Sequence, residues 1–141
     1  MTDVVVDASV WVAYWLRRPL QYPIAFQFVQ ELRVGEHSCH LPNLALVEVC
    51  ASVLREVPRP TQSLALYTRV RQTFAEWENA HLVQFYELTR SRATNAIELN
   101  APMPRHLKGA DSVYASLSQE LGIPLKTFDT EIQQRYPNAT P

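Results

Sequence analysis

The chain has 141 residues, 47% hydrophobic and 19% charged, with 13 basic and 14 acidic side chains. Such a composition belongs to a folded domain and excludes a disordered or low-complexity chain, and the near-cancelling charge excludes a grossly basic nucleic-acid binder. Only three glycines are present, with no G-x-G-x-x-G and no Walker A lysine, which excludes the glycine-rich nucleotide folds.

Val4-Val5-Val6 is a β-branched apolar run that reads as a strand buried on both faces. Asp7 ends it, Ser9 is a candidate cap, and a helix is predicted to about Arg17, closed by Pro19. Pro23 opens a second helix with Ile24, Phe28, Val29 and Leu32 at helical spacing. Ser38 to Leu41 is a second strand, followed by Asn43 as cap and a helix from Leu44 to about Val57. Thr61 then caps a long helix whose stripe is Leu64, Tyr67, Val70, Phe74 and Trp77. Leu82 to Tyr86 reads as a strand, Thr89 to Leu99 as a helix and Ala101 to Pro104 as a loop. A helix from Gly109 to Leu121 carries Ala110, Val113, Tyr114, Leu117 and Leu121 on one face and stops at Gly122. Leu125 to Phe128 is a last strand, and a short helix closes the chain. The expectation is one α/β domain over residues 1–141, with about four parallel strands and helices on both faces.

No run is long enough for a membrane span: the longest unbroken apolar stretch is Val10 to Leu16. Asp3 and Asp7, with no base before Arg17, are the wrong pattern for a signal peptide. Cys39 and Cys50 form no disulfide framework, so reduced thiols and a cytoplasmic location are expected. His37, Cys39 and His40 do not make a zinc set, because strand alternation turns Cys39 away from His40. Trp11, Trp15 and Trp77 read as core or interface residues, not base-stacking platforms.

Ligands of open α/β sheets bind beyond the carboxyl ends of the strands. Asp7 and Asp129 both stand at such ends. Glu48 lies inside an apolar helical stretch with no base within a turn, and Asp111 lies beside the apolar stripe at the start of its helix. Singly, Asp7 and Asp129 also read as helix caps, and Asp111 as an acid favoured by a helix N-terminus. Glu48 needs a partner from elsewhere, either a distant arginine or a metal.

The segments "VVVDASVWVA", "NLALVEVCASVLRE" and "LKGADSVYASLSQELGIPLKTFD" together resemble the PIN-domain nucleases, and more closely the VapC-type toxins of toxin–antitoxin pairs. The resemblance implies that Asp7, Glu48, Asp111 and Asp129 are the catalytic, metal-binding quartet, with Ser9 and Thr127 as supporting polar residues. It also implies an RNA substrate, a separate small antitoxin and a homodimer. Oxygen-only ligands favour Mg²⁺ or Mn²⁺, and two such ions would suit an in-line phosphodiester hydrolysis leaving a 5′-phosphate and a 3′-hydroxyl. Setting the four acids aside leaves 10 acidic against 13 basic residues, so the remainder carries +3, which suits a polyanion. Arg17, Arg18, Arg105 and Lys108, near site elements in sequence, are the candidate RNA contacts. Two alternatives are a non-catalytic PIN-like module that binds RNA or protein, and a haloacid-dehalogenase-like phosphohydrolase. The latter wants a second acid two residues after Asp7, where this chain has Ser9.

Overall fold

The valine run that opens the chain forms the central strand of a five-stranded, all-parallel sheet in the computed structural model, which describes residues 1–141. β1 (Thr2–Val6) leads to α1 (Ala8–Trp15) and α2 (Tyr22–Arg33), then β2 (His37–Pro42) and α3 (Asn43–Glu56). α4 (Pro60–Asn79), β3 (Val83–Tyr86), α5 (Arg90–Asn100) and α6 (Gly109–Leu121) follow. The chain ends with β4 (Leu125–Lys126), α7 (Thr130–Arg135) and β5 (Ala139–Thr140). The strand order is β3-β2-β1-β4-β5. Val5 sits between His40 of β2 and Leu125 of β4, and Val4, Val5 and Val6 are all buried, as a strand covered on both faces requires.

This order has a mechanical consequence. From β1 the chain builds outward through β2 and β3, then returns to lay β4 on the other side of β1. The order therefore reverses between β1 and β4, and the segments leaving these two strands diverge into a crevice at the carboxyl edge.

The expected sheet of about four strands gains a fifth, because Ala139 and Thr140 pair with Leu125 and Lys126. A two-residue strand has no periodicity to read. β4 is also shorter than expected: after Lys126 the Phe128 amide turns to bond Ser9 Oγ at 3.0 Å. Three expected caps move. Asp7, not Ser9, caps α1. Asn43 and Thr61 lie within α3 and α4, whose caps are Pro42 and Arg59 without side-chain bonds. Pro60 occupies the first turn of α4, where its missing N–H costs nothing.

One hydrophobic cluster joins the layers. Its largest fully buried side chain is Trp11, whose ring packs edge-on against Phe74 at 5.3 Å and Phe28 at 6.1 Å, and lies 5.8 Å from Trp77. This ties α1 to α2 and α4, and so fixes the helix that begins at the crevice. Beyond α5, Asn100 clasps Leu107 through both backbone groups, at 2.9 and 2.7 Å. That clasp sets where α6 starts. Cys39 and Cys50 are buried free thiols. No helix is long and apolar enough to cross a membrane.

Candidate active site

Asp7 leaves β1 with an extended backbone and caps α1, its Oδ2 accepting the Ser9 amide at 3.3 Å. The same oxygen accepts the Thr127 hydroxyl at 2.9 Å. Ser9 Oγ lies 3.3 Å from Thr127 Oγ1, so the two supporting residues cross-link the segments that leave β1 and β4. Asp129 repeats the arrangement beyond β4. Its Oδ1 accepts the Glu131 and Ile132 amides at 2.8 and 3.3 Å, capping α7. Its own amide donates to Thr127 Oγ1 at 3.0 Å. Each aspartate therefore spends one oxygen on its helix and retains the other.

Glu48 reaches the crevice from the second turn of α3, and Asp111 from the first turn of α6. Neither meets a basic partner. Glu48 Oε1 accepts the hydroxyl of Tyr114 at 2.7 Å, across a sequence separation of 66 residues. The protein partner of Glu48 is thus a tyrosine hydroxyl and not the distant arginine. Tyr114 itself is fully buried, and the spacing of α6 puts it on the same face as Asp111.

The four acids act on one another. Burial pushes Asp7 above the ordinary carboxylate range against its Ser9 and Thr127 hydrogen bonds, and Asp129 adds to the rise. Burial raises Glu48, the Tyr114 bond opposes this, and Asp7 raises it further. Asp111 is pushed up to about 6, first by burial and then by the charges of Asp129, Asp7 and Glu48. Lys108 pulls the other way more weakly than any of those acids. Asp7, Glu48 and Asp111 are thus all held above the ordinary carboxylate range, and their ionised forms are the ones a bound cation would favour.

No three His, Cys, Asp or Glu side chains stand close enough together to hold an ion by themselves. By donor chemistry the four acids fit a hard cation: all donors are carboxylate oxygens, with no Cys or His among them.

The candidate basic residues are spread. Lys108 caps α6, three residues before Asp111, and acts on its charge. Arg105 is exposed in the loop before it. Arg17 and Arg18 stand past the far end of α1, roughly 15 Å from Asp7 at 1.5 Å per residue. There the Arg18 amide bonds Ala13 O at 3.1 Å and Arg17 takes a left-handed φ of 52°, closing the helix. The Arg18 side chain is held by both oxygens of Glu56 at 2.7 Å. His37 pairs with Glu31, and His40 with Asp3 and Tyr86, so neither histidine joins Cys39.

The sequence profile of the PIN domain matches residues 4–137. No curated protein sequence matches the chain. Several solved structures share the fold at low identity. VapC20 of Mycobacterium tuberculosis, a sarcin–ricin-loop-cleaving toxin, is 16% identical with a TM-score of 0.69 over 93% of each chain. A chain of a toxin–antitoxin complex from Klebsiella pneumoniae is 14% identical with a TM-score of 0.70, over 98% of this chain and 96% of that one. A chain of the DNA-bound VapBC complex of Salmonella typhimurium is 15% identical with a TM-score of 0.67, over 99% and 96%.

Proposed function

This chain belongs to the PIN-domain family, and we propose that it is a metal-dependent endoribonuclease acting as the toxin of a type II toxin–antitoxin pair. The observation that carries the reading is the crevice at the carboxyl edge of β1 and β4. There acids from four separate elements act together: beyond the effect of its burial, Asp111 is raised by Asp129, Asp7 and Glu48, with no matching base. Glu48 and Asp111 join the two capping aspartates there without capping any helix.

In this reading Asp7, Glu48, Asp111 and Asp129 hold Mg²⁺ or Mn²⁺. When bound, one or two such ions activate a water and steady the leaving oxygen of an in-line displacement at phosphorus. The chain's own contribution is positional. Ser9 and Thr127 lock the rotamer of Asp7 and the turn that carries Asp129. Lys108 stands beside the acids as a cation for the incoming phosphate, with Arg105 in the adjoining loop. Water adds to phosphorus, the P–O3′ bond breaks, and the products are a 5′-phosphate and a 3′-hydroxyl. The fold shared with chains of toxin–antitoxin complexes supports a separate antitoxin partner, and the proposal includes a homodimer of this single domain in the cytoplasm.

The test is cleavage of total RNA by the purified protein in EDTA, in Mg²⁺ and in Mn²⁺. Cleavage is expected only with a divalent ion, and Asp7→Asn, Glu48→Gln, Asp111→Asn and Asp129→Asn should each remove most of it. Cleavage that persists in EDTA would refute the metal-dependent reading. Tight RNA binding without cleavage under any ion would favour the non-catalytic module.

A further inference from the structure

We propose that Tyr114 is a positioning residue for the reaction: its hydroxyl holds Glu48 inside the acidic cluster. The inference deepens the metal-dependent reading and rests on it.

Glu48 is the acid with the most freedom to leave. It is half-buried, it caps no helix, and no basic side chain pairs with it. Asp7 repels it. On electrostatics alone its side chain would swing toward solvent, where a carboxylate is best hydrated. The Tyr114 hydroxyl opposes that by donating to Oε1 at 2.7 Å. This is a short bond from a neutral donor to a charged acceptor, made by a fully buried ring whose own motion is blocked by packing. Oε2 takes no hydrogen bond and is left free.

The hydroxyl has a second neighbour. The Ala8 amide, directly after Asp7, acts on the same oxygen. Tyr114 thus stands between the start of α1 and the middle of α3, while Asp111, on the same face of α6, contributes its own carboxylate. A phenylalanine would fill the same volume and complete the same hydrophobic stripe. What it would lack is the only hydrogen bond that Glu48 makes. The tyrosine therefore does something the core does not require. Supporting hydrogen bonds of this kind typically change metal affinity by 10–100-fold.

The experiment compares wild type, Tyr114→Phe and Tyr136→Phe by calorimetric titration with Mn²⁺ alone, and then by steady-state RNA cleavage. Tyr136 is the control: it too is buried, and its hydroxyl bonds Ser118 Oγ at 3.0 Å, so the same atom is removed from a network that does not include Glu48. Both variants keep the ring that fills the core, and melting in EDTA checks that both are folded. Tyr114→Phe is expected to weaken Mn²⁺ binding about tenfold or more. It should lower kcat while leaving KM for RNA unchanged. Tyr136→Phe should leave Mn²⁺ affinity and kcat within about twofold of wild type, even where it melts earlier. Mn²⁺ affinity of Tyr114→Phe within twofold of wild type would overturn the proposal, as would an equal loss in Tyr136→Phe. A wild type that binds no Mn²⁺ would instead overturn the metal-dependent reading on which the proposal stands.

Discussion

Replacing Asp111 by asparagine should stabilise the metal-free protein while destroying its activity. The sign follows from proton linkage. Asp111 is raised from 3.8 to about 6 in the folded chain, by burial first and then by Asp129, Asp7 and Glu48. Between pH 4 and 6 the folded state therefore holds a proton that the unfolded state releases, so stability falls as pH rises through that window. Above it the full penalty is present. A displacement of that size corresponds to at most about 3 kcal/mol, and the half-exposed position of Asp111 screens it to about 1–2 kcal/mol. Asparagine removes this penalty but also gives up an acid in the first turn of α6, worth about 0.3–1 kcal/mol. Burial and repulsion together outweigh the lost first-turn acid, and the net gain is about 0.5–1.5 kcal/mol. For a chain of this size that raises Tm by roughly 2–5 °C. The assay is thermal melting of wild type and Asp111→Asn in EDTA at pH 7.5 and 4. The gap should open at pH 7.5 and close at pH 4, where both side chains are neutral. Adding Mn²⁺ should reverse the order, because the wild type gains more from binding to its folded state. A variant that melts below wild type at pH 7.5 in EDTA, or a gap that ignores pH, would refute the argument.

At Asp7 the cap and the charge separate. Asn is as good an N-cap as Asp, whereas Ala loses the cap and strands the Thr127 hydroxyl. Both variants should be inactive, but Asp7→Ala should melt about 1–2 kcal/mol below Asp7→Asn in EDTA; equal melting would remove the capping role. RNA binding by Asp7→Asn in Ca²⁺ should weaken as salt rises, through counterion release. Lys108→Ala should flatten that slope, and Arg18→Ala, already paired with Glu56, should leave it unchanged. The opposite pattern would move the RNA path to the far end of α1.

Much of the candidate site was legible because its pieces are local. A run of valines ending in aspartate, and an L-K-T-F-D segment, each announce a strand end, and the rule for parallel sheets joins the two ends in one crevice. What was not legible lies in long-range pairing. Tyr114 occupies a stripe position of an amphipathic helix and reads as core; its partner is 66 residues away. The Arg18–Glu56 pair spans 38 residues. Arg17 and Arg18 are near Asp7 in sequence, but a helix converts ten residues into about 15 Å. The fifth strand is two residues long and is set by its partner, not by its own pattern. Caps moved for a similar reason: Ser9 has the right side chain for the role, yet its hydroxyl is engaged by Thr127 and Phe128 from the other strand.

For Asp7 and Asp129 the two readings, as caps and as proposed ligands, are not rivals, because the topology puts both roles at one edge. Helices that follow parallel strands start at the carboxyl edge, so α1, α3 and α7 all begin there, and α6, which leads back into β4, begins there as well. Helix N-termini favour carboxylates, which is why capping acids gather at that edge. Asp7 and Asp129 satisfy their helices with one oxygen each and leave the other free. The helix ends do not neutralise the gathered charge, since Asp111 still rises to about 6. The remaining deficit is met by protons or by a cation. This couples the two things the protein is proposed to bind. Without the ion, a crevice of up to four negative charges repels phosphate. One divalent ion would bring a chain of net charge −1 to +1 and two would bring it to +3, with the same helix ends facing the proposed substrate. In the proposed function, loading divalent ions would therefore convert the crevice from one that rejects a polyanion to one that attracts it.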